Sequence, residues 1–348
     1  SPLFNGNPDY AHIKDERGVA LFKTTEDPTL WLKAAQACKA AIDTAHLAGA
    51  ELYRLETDPM PLNDVFRQEL TLRMTIYERW NKETIWGLTT FNPGEMSHLC
   101  MPPLTTTMRD RASGRFVPTF DLVESYYSNH GVPIEEDKDY DYNGRYSLQT
   151  ASEKDKWYIK EGEETVKLHF DREPRFYASI LYNGASWIKD RKLQVYVGGH
   201  DGIFEFKNDP ADDYKRSTTT GYYIRKFIKN DEINFVDVQS DQFWIEMRMA
   251  EVYLIRSEAY ARLEKWSEAY IDLNAIRGRV GMPALPQQNV WDSYLTDLEK
   301  ERICELGMEG HRFFDLVRWG KAVETLNEKR LHGVKITKLP TGAFEYKV

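Results

Sequence analysis

At 348 residues the chain is long enough for two ordinary domains, or for one large helical body with an insertion, and for a sizeable buried core. Its formal net charge of −9 excludes a binder of the nucleic-acid backbone, which needs clustered Lys and Arg to displace counterions. Aromatic residues make up 13% of the chain, with 9 Trp and 20 Tyr, so flat side chains with a polar handle are plentiful enough to expect some at a binding surface.

The chain opens on Ser1-Pro2-Leu3-Phe4 and closes on Glu345-Tyr346-Lys347-Val348, neither of which resembles a solvated natural terminus, and a fragment of a longer protein is expected. No basic segment followed by an apolar one stands at the start, and no apolar run reaches the roughly 18 residues that span a bilayer. The first strong element is a helix from Asp27. Asp27 caps it, Pro28 suits the first turn, and Trp31, Ala34, Ala35, Cys38, Ile42 and Ala45 recur at helical spacing until Gly49 stops it.

After Asp58-Pro59-Met60-Pro61 the character changes to short aromatic and β-branched stretches broken by Pro, Gly and Asn, as far as about Gln242. Thr84-Ile85-Trp86 predicts a strand, followed by a loop through Phe91-Asn92-Pro93-Gly94 to Pro102-Pro103. The charge run Glu135-Glu136-Asp137-Lys138-Asp139 reads as a solvated loop rather than a cation site, because the spacing and turn glycine of an EF-hand loop are missing. Tyr177 to Tyr182 predicts a second strand, ended by the turn pair Asn183-Gly184.

From Trp244 the pattern is helical again. Tyr253, Tyr260 and Leu263 form one stripe and Ala250, Leu254 and Ala261 another; after Glu264-Lys265-Trp266 a second helix presents Ala269, Leu273 and Ile276. The stretch Glu258 to Ala269 looks like the centre of a tetratricopeptide repeat, whose small residues let two helices approach closely and which needs stacked neighbours to bury its faces. Thr296-Asp297-Leu298-Glu299 has capping-box spacing for a helix to about Gly307, and Leu316, Trp319, Val323 and Leu326 mark a further amphipathic helix. The expected organisation is a helical scaffold in 1–56 and 244–348 around a loop-rich mixed region in 57–243.

Motifs for chemistry are missing: the chain has no G-x-S-x-G elbow, no HExxH and no P-loop, and its eight histidines lack metal-ligand spacing. Cys38, Cys100 and Cys304 are far apart without CxxC spacing, and the two on predicted helices read as small buried thiols. A pair of carboxylates for glycoside hydrolysis can always be found among 55 acidic residues, so their presence argues nothing. The dense cluster from Glu309 to Trp319 looks like an active site, but Arg302, Arg312 and Arg318 alternate with Glu301, Glu305, Glu309 and Asp315 as in a salt-bridged, partly buried helix corner. No cofactor, metal or catalytic residue is assigned.

Carbohydrate binding asks for what this chain has in excess, an aromatic face for the apolar side of a sugar ring beside polar groups for its hydroxyls. Trp86, Phe91, Asn92 and His98 lie on or beside one predicted loop, and Tyr182, Asn183 and Trp187 surround another turn. For each aromatic, ordinary core packing stays open as the alternative.

Several phrases resemble the SusD/RagB family in order and spacing. They are Trp31-Leu32-Lys33-Ala34-Ala35 leading to Gly49-Ala50-Glu51-Leu52-Tyr53, Pro118 to Tyr126 followed by Asn129 to Ile134, and Asp171-Arg172-Glu173-Pro174-Arg175-Phe176-Tyr177, where Glu173 replaces the family's Asp. Thr220 to Lys226, Arg248 to Leu254, Asn274 to Met282 and Glu301 through Trp319 continue the series. The resemblance implies a mainly α fold, a tetratricopeptide-like helical scaffold (an α–α superhelix) bearing a loop-rich mixed α/β insertion. It also implies a non-catalytic nutrient-uptake lipoprotein of polysaccharide utilization on the outward face of a Bacteroidetes-type outer membrane, anchored through a cysteine upstream of Ser1. Such proteins act as a lid on a SusC-like TonB-dependent transporter and pass it oligosaccharides, or in some branches peptides. Trp86, Phe91, Asn92, His98, Tyr182 and Trp187 are the ligand-binding candidates; a peptide-capturing member of the same architecture and a tetratricopeptide-type protein-interaction scaffold are the competing readings.

Overall fold

A computed structural model describes residues 1, 3–55, 64–89, 93–102, 114–187, 191–192, 218–228 and 244–348. The turn at Asp58 to Pro61 and the loop residues Phe91 and Asn92 lie outside the described residues. The helices are α1 (Pro28–Leu47), α2 (Asp64–Tyr77), α3 (Pro93–Cys100), α4 (Phe120–Ser125), α5 (Pro174–Ser179), α6 (Met249–Arg262), α7 (Trp266–Arg279), α8 (Trp291–Leu306), α9 (His311–Arg318) and α10 (Ala322–Leu326). The strands are short: β1 (Thr84–Leu88), β2 (Leu148–Thr150), β3 (Glu164–Val166), β4 (Ile180–Leu181), β5 (Ser186–Trp187), β6 (Arg191–Lys192), β7 (Tyr223–Ile224), β8 (Trp244–Arg248), β9 (Lys335–Lys338) and β10 (Phe344–Lys347). The protein is mainly α, as expected. It divides into one compact unit of Ser1–Leu52, Met247–Gly278 and Pro283–Arg330 and another of Tyr53–Glu246, Arg279–Met282 and Leu331–Val348.

In the first unit α1 starts where its residues dictate. Asp27 takes an extended backbone and its side chain accepts the Thr29 N–H at 3.0 Å, with Pro28 in the first turn. Trp31 and Ala35 of α1 pack on Ala259 of α6, and Ile42 packs on Met249 and Val252, so small residues line the closest approach. α6 and α7 are joined by a tight turn in which Glu264 takes φ +57. The core of this unit is Ala250, Leu254, Ala269, Leu273 and Ile276 with Tyr294 and Leu298 of α8. Ser257 ties the three helices, donating from its hydroxyl to the Ala269 carbonyl at 2.6 Å and meeting the Tyr294 hydroxyl at 2.6 Å.

Two boundaries differ from expectation. α8 begins at Trp291, one turn and more before the capping-box phrase, and Thr296 spends its hydroxyl on the Asp292 carbonyl at 3.0 Å inside the helix. The single amphipathic helix expected through Leu326 is two short ones, broken where Gly320 adopts φ +74, and it leaves Val323 74% exposed. The ionic corner is as expected. Arg302 and Arg318 both hold Asp315, at 2.7 and 2.8 Å, and Arg318 and the Trp319 indole N–H both reach Glu258. Arg248 binds Glu305 at 2.7 Å and Glu309 at 2.8 Å. These carboxylates are paired with scaffold arginines.

The second unit is built around the phrase Asp171 to Tyr177. Arg172 is 1% exposed and its guanidinium donates to the carbonyls of Tyr127, Leu168, Val123, Glu124 and Tyr126, while lying 4.5 Å above the Phe176 ring. Glu173, also buried, accepts the Tyr127 N–H at 3.0 Å and pairs with Arg175 at 2.6 Å. The strand expected from Tyr177 to Tyr182 is α5 followed by the two-residue β4, because Pro174 sits in the first turn of a helix that starts after the extended Glu173 and the chain becomes extended again only at Ile180. β4 pairs antiparallel with β7, Ile180 opposite Ile224. Gly221, just before β7, has φ +85, and a Cβ there would stand 2.4 Å from the Val334 carbonyl oxygen, so only glycine fits. The β9–β10 hairpin closes the core, its Tyr346 hydroxyl meeting Thr165 Oγ1 at 2.9 Å and the Asn183 amide at 3.2 Å.

Candidate functional site

Among the described residues of the second unit, Trp86 and Trp80 are the most exposed large apolar side chains apart from those near the C-terminus, at 60% and 56%. The local sequence explains why they stand out. α2 ends at Tyr77, and the Asn81 side-chain amide donates to the Thr75 and Glu78 carbonyls at 2.9 and 2.8 Å, satisfying two acceptors the helix end leaves open. Asn81 Oδ1 accepts the Glu83 N–H at 2.9 Å, which turns the chain into β1. Between them Trp80 is held at φ +56, a left-handed conformation that costs a bulky residue about 1–2 kcal/mol. Backbone strain of this kind concentrates at functional positions.

Glu83 anchors the start of β1. It has no exposed surface, accepts the Tyr53 N–H at 2.9 Å, and forms an ion pair with Arg279, which is equally buried. β1 then carries Ile85 and Trp86 into solvent on successive, and therefore opposite, faces. A solvent-facing indole on a firmly rooted strand, such as Trp86, offers flat apolar contact at low entropic cost.

The other candidates fall differently. His98 lies half-buried on α3, near the buried Ser97 and Cys100. Burial pushes the Cys100 thiol up to about 12, which makes it inert. Trp187 lies in β5, but its side chain is outside the described residues, as are Phe91 and Asn92 entirely. Tyr182 is a core residue in place of the expected ligand contact: it is 1% exposed, stacks 4.2 Å from His169, and donates its hydroxyl to the Tyr158 carbonyl at 3.2 Å. Trp80 was not singled out by periodicity or motif. Its one sequence signal is an isolated Trp inside the polar stretch Glu78-Arg79-Trp80-Asn81-Lys82-Glu83, where no helical or strand register asks for an apolar residue.

The charge run near Asp137 forms a tight loop in which His130, Asp137 and Asp139 bring one ligand atom each within 4.8 Å of one another. Asp137 is satisfied within that loop by the Asp139 N–H at 3.0 Å and the His130 ring at 2.9 Å.

His169 gives this unit a pH dependence. It is fully buried between Thr165 Oγ1 at 2.8 Å and the Tyr222 hydroxyl at 3.1 Å, and burial, with the nearby Arg172 charge, holds its pKa well below the usual histidine value. The unfolded chain therefore binds the proton more readily than the folded one. Stability is fully present above the unfolded pKa of about 6.5 and falls as pH drops below it, by up to about 1.4 kcal/mol per pH unit. Urea unfolding midpoints from pH 7 to 5 are expected to fall along this slope, and more steeply in the wild type than in His169→Gln. Equal slopes would show that His169 does not supply it.

A family model described as the SusD family matches residues 82–347. No curated protein matches the chain. Among solved structures, the chain is similar to BT4246, with a TM-score of 0.76 and 23% identity over 99% of this chain and 62% of that one. It is similar to a SusD-like protein from Bacteroides fragilis, with a TM-score of 0.64, 23% identity and coverage of 91% and 55%. A SusD-like carbohydrate-binding protein from Bacteroides fragilis gives a TM-score of 0.59 at 24% identity, covering 87% and 51%. The likeness at these identities establishes the fold, and the chain spans from 51% to 62% of the length of these three solved relatives.

Proposed function

The chain belongs to the SusD family, and from that membership we propose that it is part of a non-catalytic cell-surface protein that binds oligosaccharide and delivers it to a SusC-like TonB-dependent transporter of the outer membrane. The observation that carries the binding role is Trp86, an indole 60% exposed on a strand whose root is fixed by buried ionic and hydrogen-bonded groups. A core tryptophan would be covered, whereas this one is open to solvent. One solved relative in the same family is a carbohydrate-binding protein, which supports the choice of ligand. The conspicuous ionic cluster belongs to the scaffold, and among the described residues the exposed Trp86 indole is the feature that supports a ligand-binding role.

No helix among the described residues is long and apolar enough to cross a membrane. Attachment through a lipid on an upstream cysteine is the arrangement we propose with the transporter partnership; co-purification with a TonB-dependent transporter from the outer membrane, lost when that cysteine is replaced, tests both.

Retardation of the protein in native gels containing plant, host or microbial polysaccharides is the direct test of binding. Trp86→Ala removes most of one stacking surface, worth about 1–3 kcal/mol by analogy with other flat rings stacked on aromatics, so retardation by the bound polysaccharide is expected to fall about tenfold or more. Thermal unfolding should be unchanged, because the side chain is exposed. Undiminished retardation of the Trp86→Ala protein would remove Trp86 from the site.

A further inference from the structure

One ion pair of the second unit is left half open. Glu124, near the end of α4, accepts the Arg145 Nε–H and the Tyr146 hydroxyl through the same oxygen, Oε1, each at 2.7 Å. The Arg145 guanidinium also donates from Nη1 to the Tyr142 carbonyl at 2.9 Å, and it lies 4.0 Å from the centroid of the Tyr142 ring and 4.3 Å from that of Tyr146. Arg256 and Asp272 in the first unit show the closed alternative, two parallel N–H···O bonds that use both carboxylate oxygens. The Glu124 pair instead leaves Glu124 Oε2, Arg145 Nη2 and the Tyr142 hydroxyl without a hydrogen bond among the described residues. None of the three is an enclosed atom, and the Glu124 and Arg145 side chains are 25% and 17% exposed.

The backbone that carries these groups is fixed. The Glu124 carbonyl accepts from the buried Arg172, and the Arg145 carbonyl accepts the Leu168 N–H at 2.7 Å, so little ordering is left for a ligand to impose. A carboxylate oxygen only accepts and a guanidinium nitrogen only donates, whereas a hydroxyl does both. An acceptor and a donor presented by one ion pair therefore match two adjacent hydroxyls, one donating to Glu124 Oε2 and its neighbour accepting from Arg145 Nη2. The Tyr142 ring beside them supplies flat contact for the C–H side of a sugar. Because the pair is neutral as a whole, it gives a charged ligand of either sign no net attraction. We infer that Glu124, Arg145 and Tyr142 form a second carbohydrate-binding point in this unit, one that takes the vicinal diol of a neutral sugar ring. The inference rests on the glycan-binding reading above.

Calorimetric titration of the wild type, Glu124→Gln and Tyr142→Ala with neutral oligosaccharides of glucose, mannose, galactose and xylose tests this. Glutamine can keep an oxygen toward Arg145 and Tyr146 while its amide nitrogen replaces Oε2, so the open acceptor becomes a donor and the fold is retained. For an oligosaccharide that the wild type binds, Glu124→Gln is expected to lose about tenfold in affinity, the size of one hydrogen bond to a charged group, at an unchanged thermal unfolding midpoint. Tyr142→Ala is expected to lose about fivefold, the size of one aromatic contact. A folded Glu124→Gln that binds as tightly as the wild type overturns the inference and leaves glycan binding standing; if that variant loses its fold, undiminished binding by Tyr142→Ala overturns it instead. A wild type that binds no glycan, charged or neutral, overturns the glycan reading and this inference with it.

Discussion

Arg279→Met is expected to destabilise the second unit by about 3–5 kcal/mol, the range for removing one partner of a buried ion pair. Neither Arg279 nor Glu83 has exposed side-chain surface, so the substitution leaves a carboxylate in a low-dielectric interior with the Tyr53 N–H as a remaining donor. The pair also joins positions 196 residues apart in the chain, and Glu83 is the residue from which β1 departs. Loss of stability should therefore be accompanied by loss of the aromatic surface. Adding Glu83→Gln to Arg279→Met removes the orphaned charge and is expected to recover a large part of the stability in urea unfolding. A double variant as unstable as the single one would mean that shape, not charge, is what the pair supplies.

Arg172→Met carries the second large expected effect, about 3 kcal/mol or more, for a different reason. Arg172 has no carboxylate partner among its hydrogen bonds; its guanidinium is solvated by the main-chain carbonyls of Val123, Glu124, Tyr126, Tyr127 and Leu168. Methionine fills much of the volume but donates nothing, and each carbonyl left unsatisfied in the interior costs about 1–3 kcal/mol, partly offset by no longer burying a charge. Arg172→Lys should fall between the two, because three donors cannot reproduce the spread of the planar fork. Near-UV circular dichroism offers a second readout, since Phe176, Tyr177 and Tyr182 pack against one another at this place. A lysine variant as stable as wild type would show that the charge, not the fork, organises these loops.

What local chemistry controls was legible in the sequence. The Asp27-Pro28 start of α1, the paired α6 and α7 and the Asn183-Gly184 turn, with Gly184 at φ +86, follow from caps, periodicity and turn residues that act within a few positions. The ionic corner was legible because its arginines and carboxylates alternate at helical spacing. Tyr177 to Tyr182 misled because an apolar run of that length suits a buried helix as well as a strand, and Pro174 in the first turn favours the helix. The site was less legible than the fold. Trp86 shows its exposure only in three dimensions, and Trp80 owes its outward position to the Asn81 side-chain bonds and to a contact between Glu83 and the distant Arg279, neither of which leaves a periodic trace. Tyr182 shares its composition with a surface platform and its position with the core.

Isothermal titration of the wild-type protein and Trp86→Ala against a matched panel of oligosaccharides and peptides tests the central claim most directly. The wild type is expected to bind at least one oligosaccharide and no peptide, with affinity reduced about tenfold or more in Trp86→Ala. Binding to peptides with none to any oligosaccharide would contradict it and leave the fold serving peptide capture.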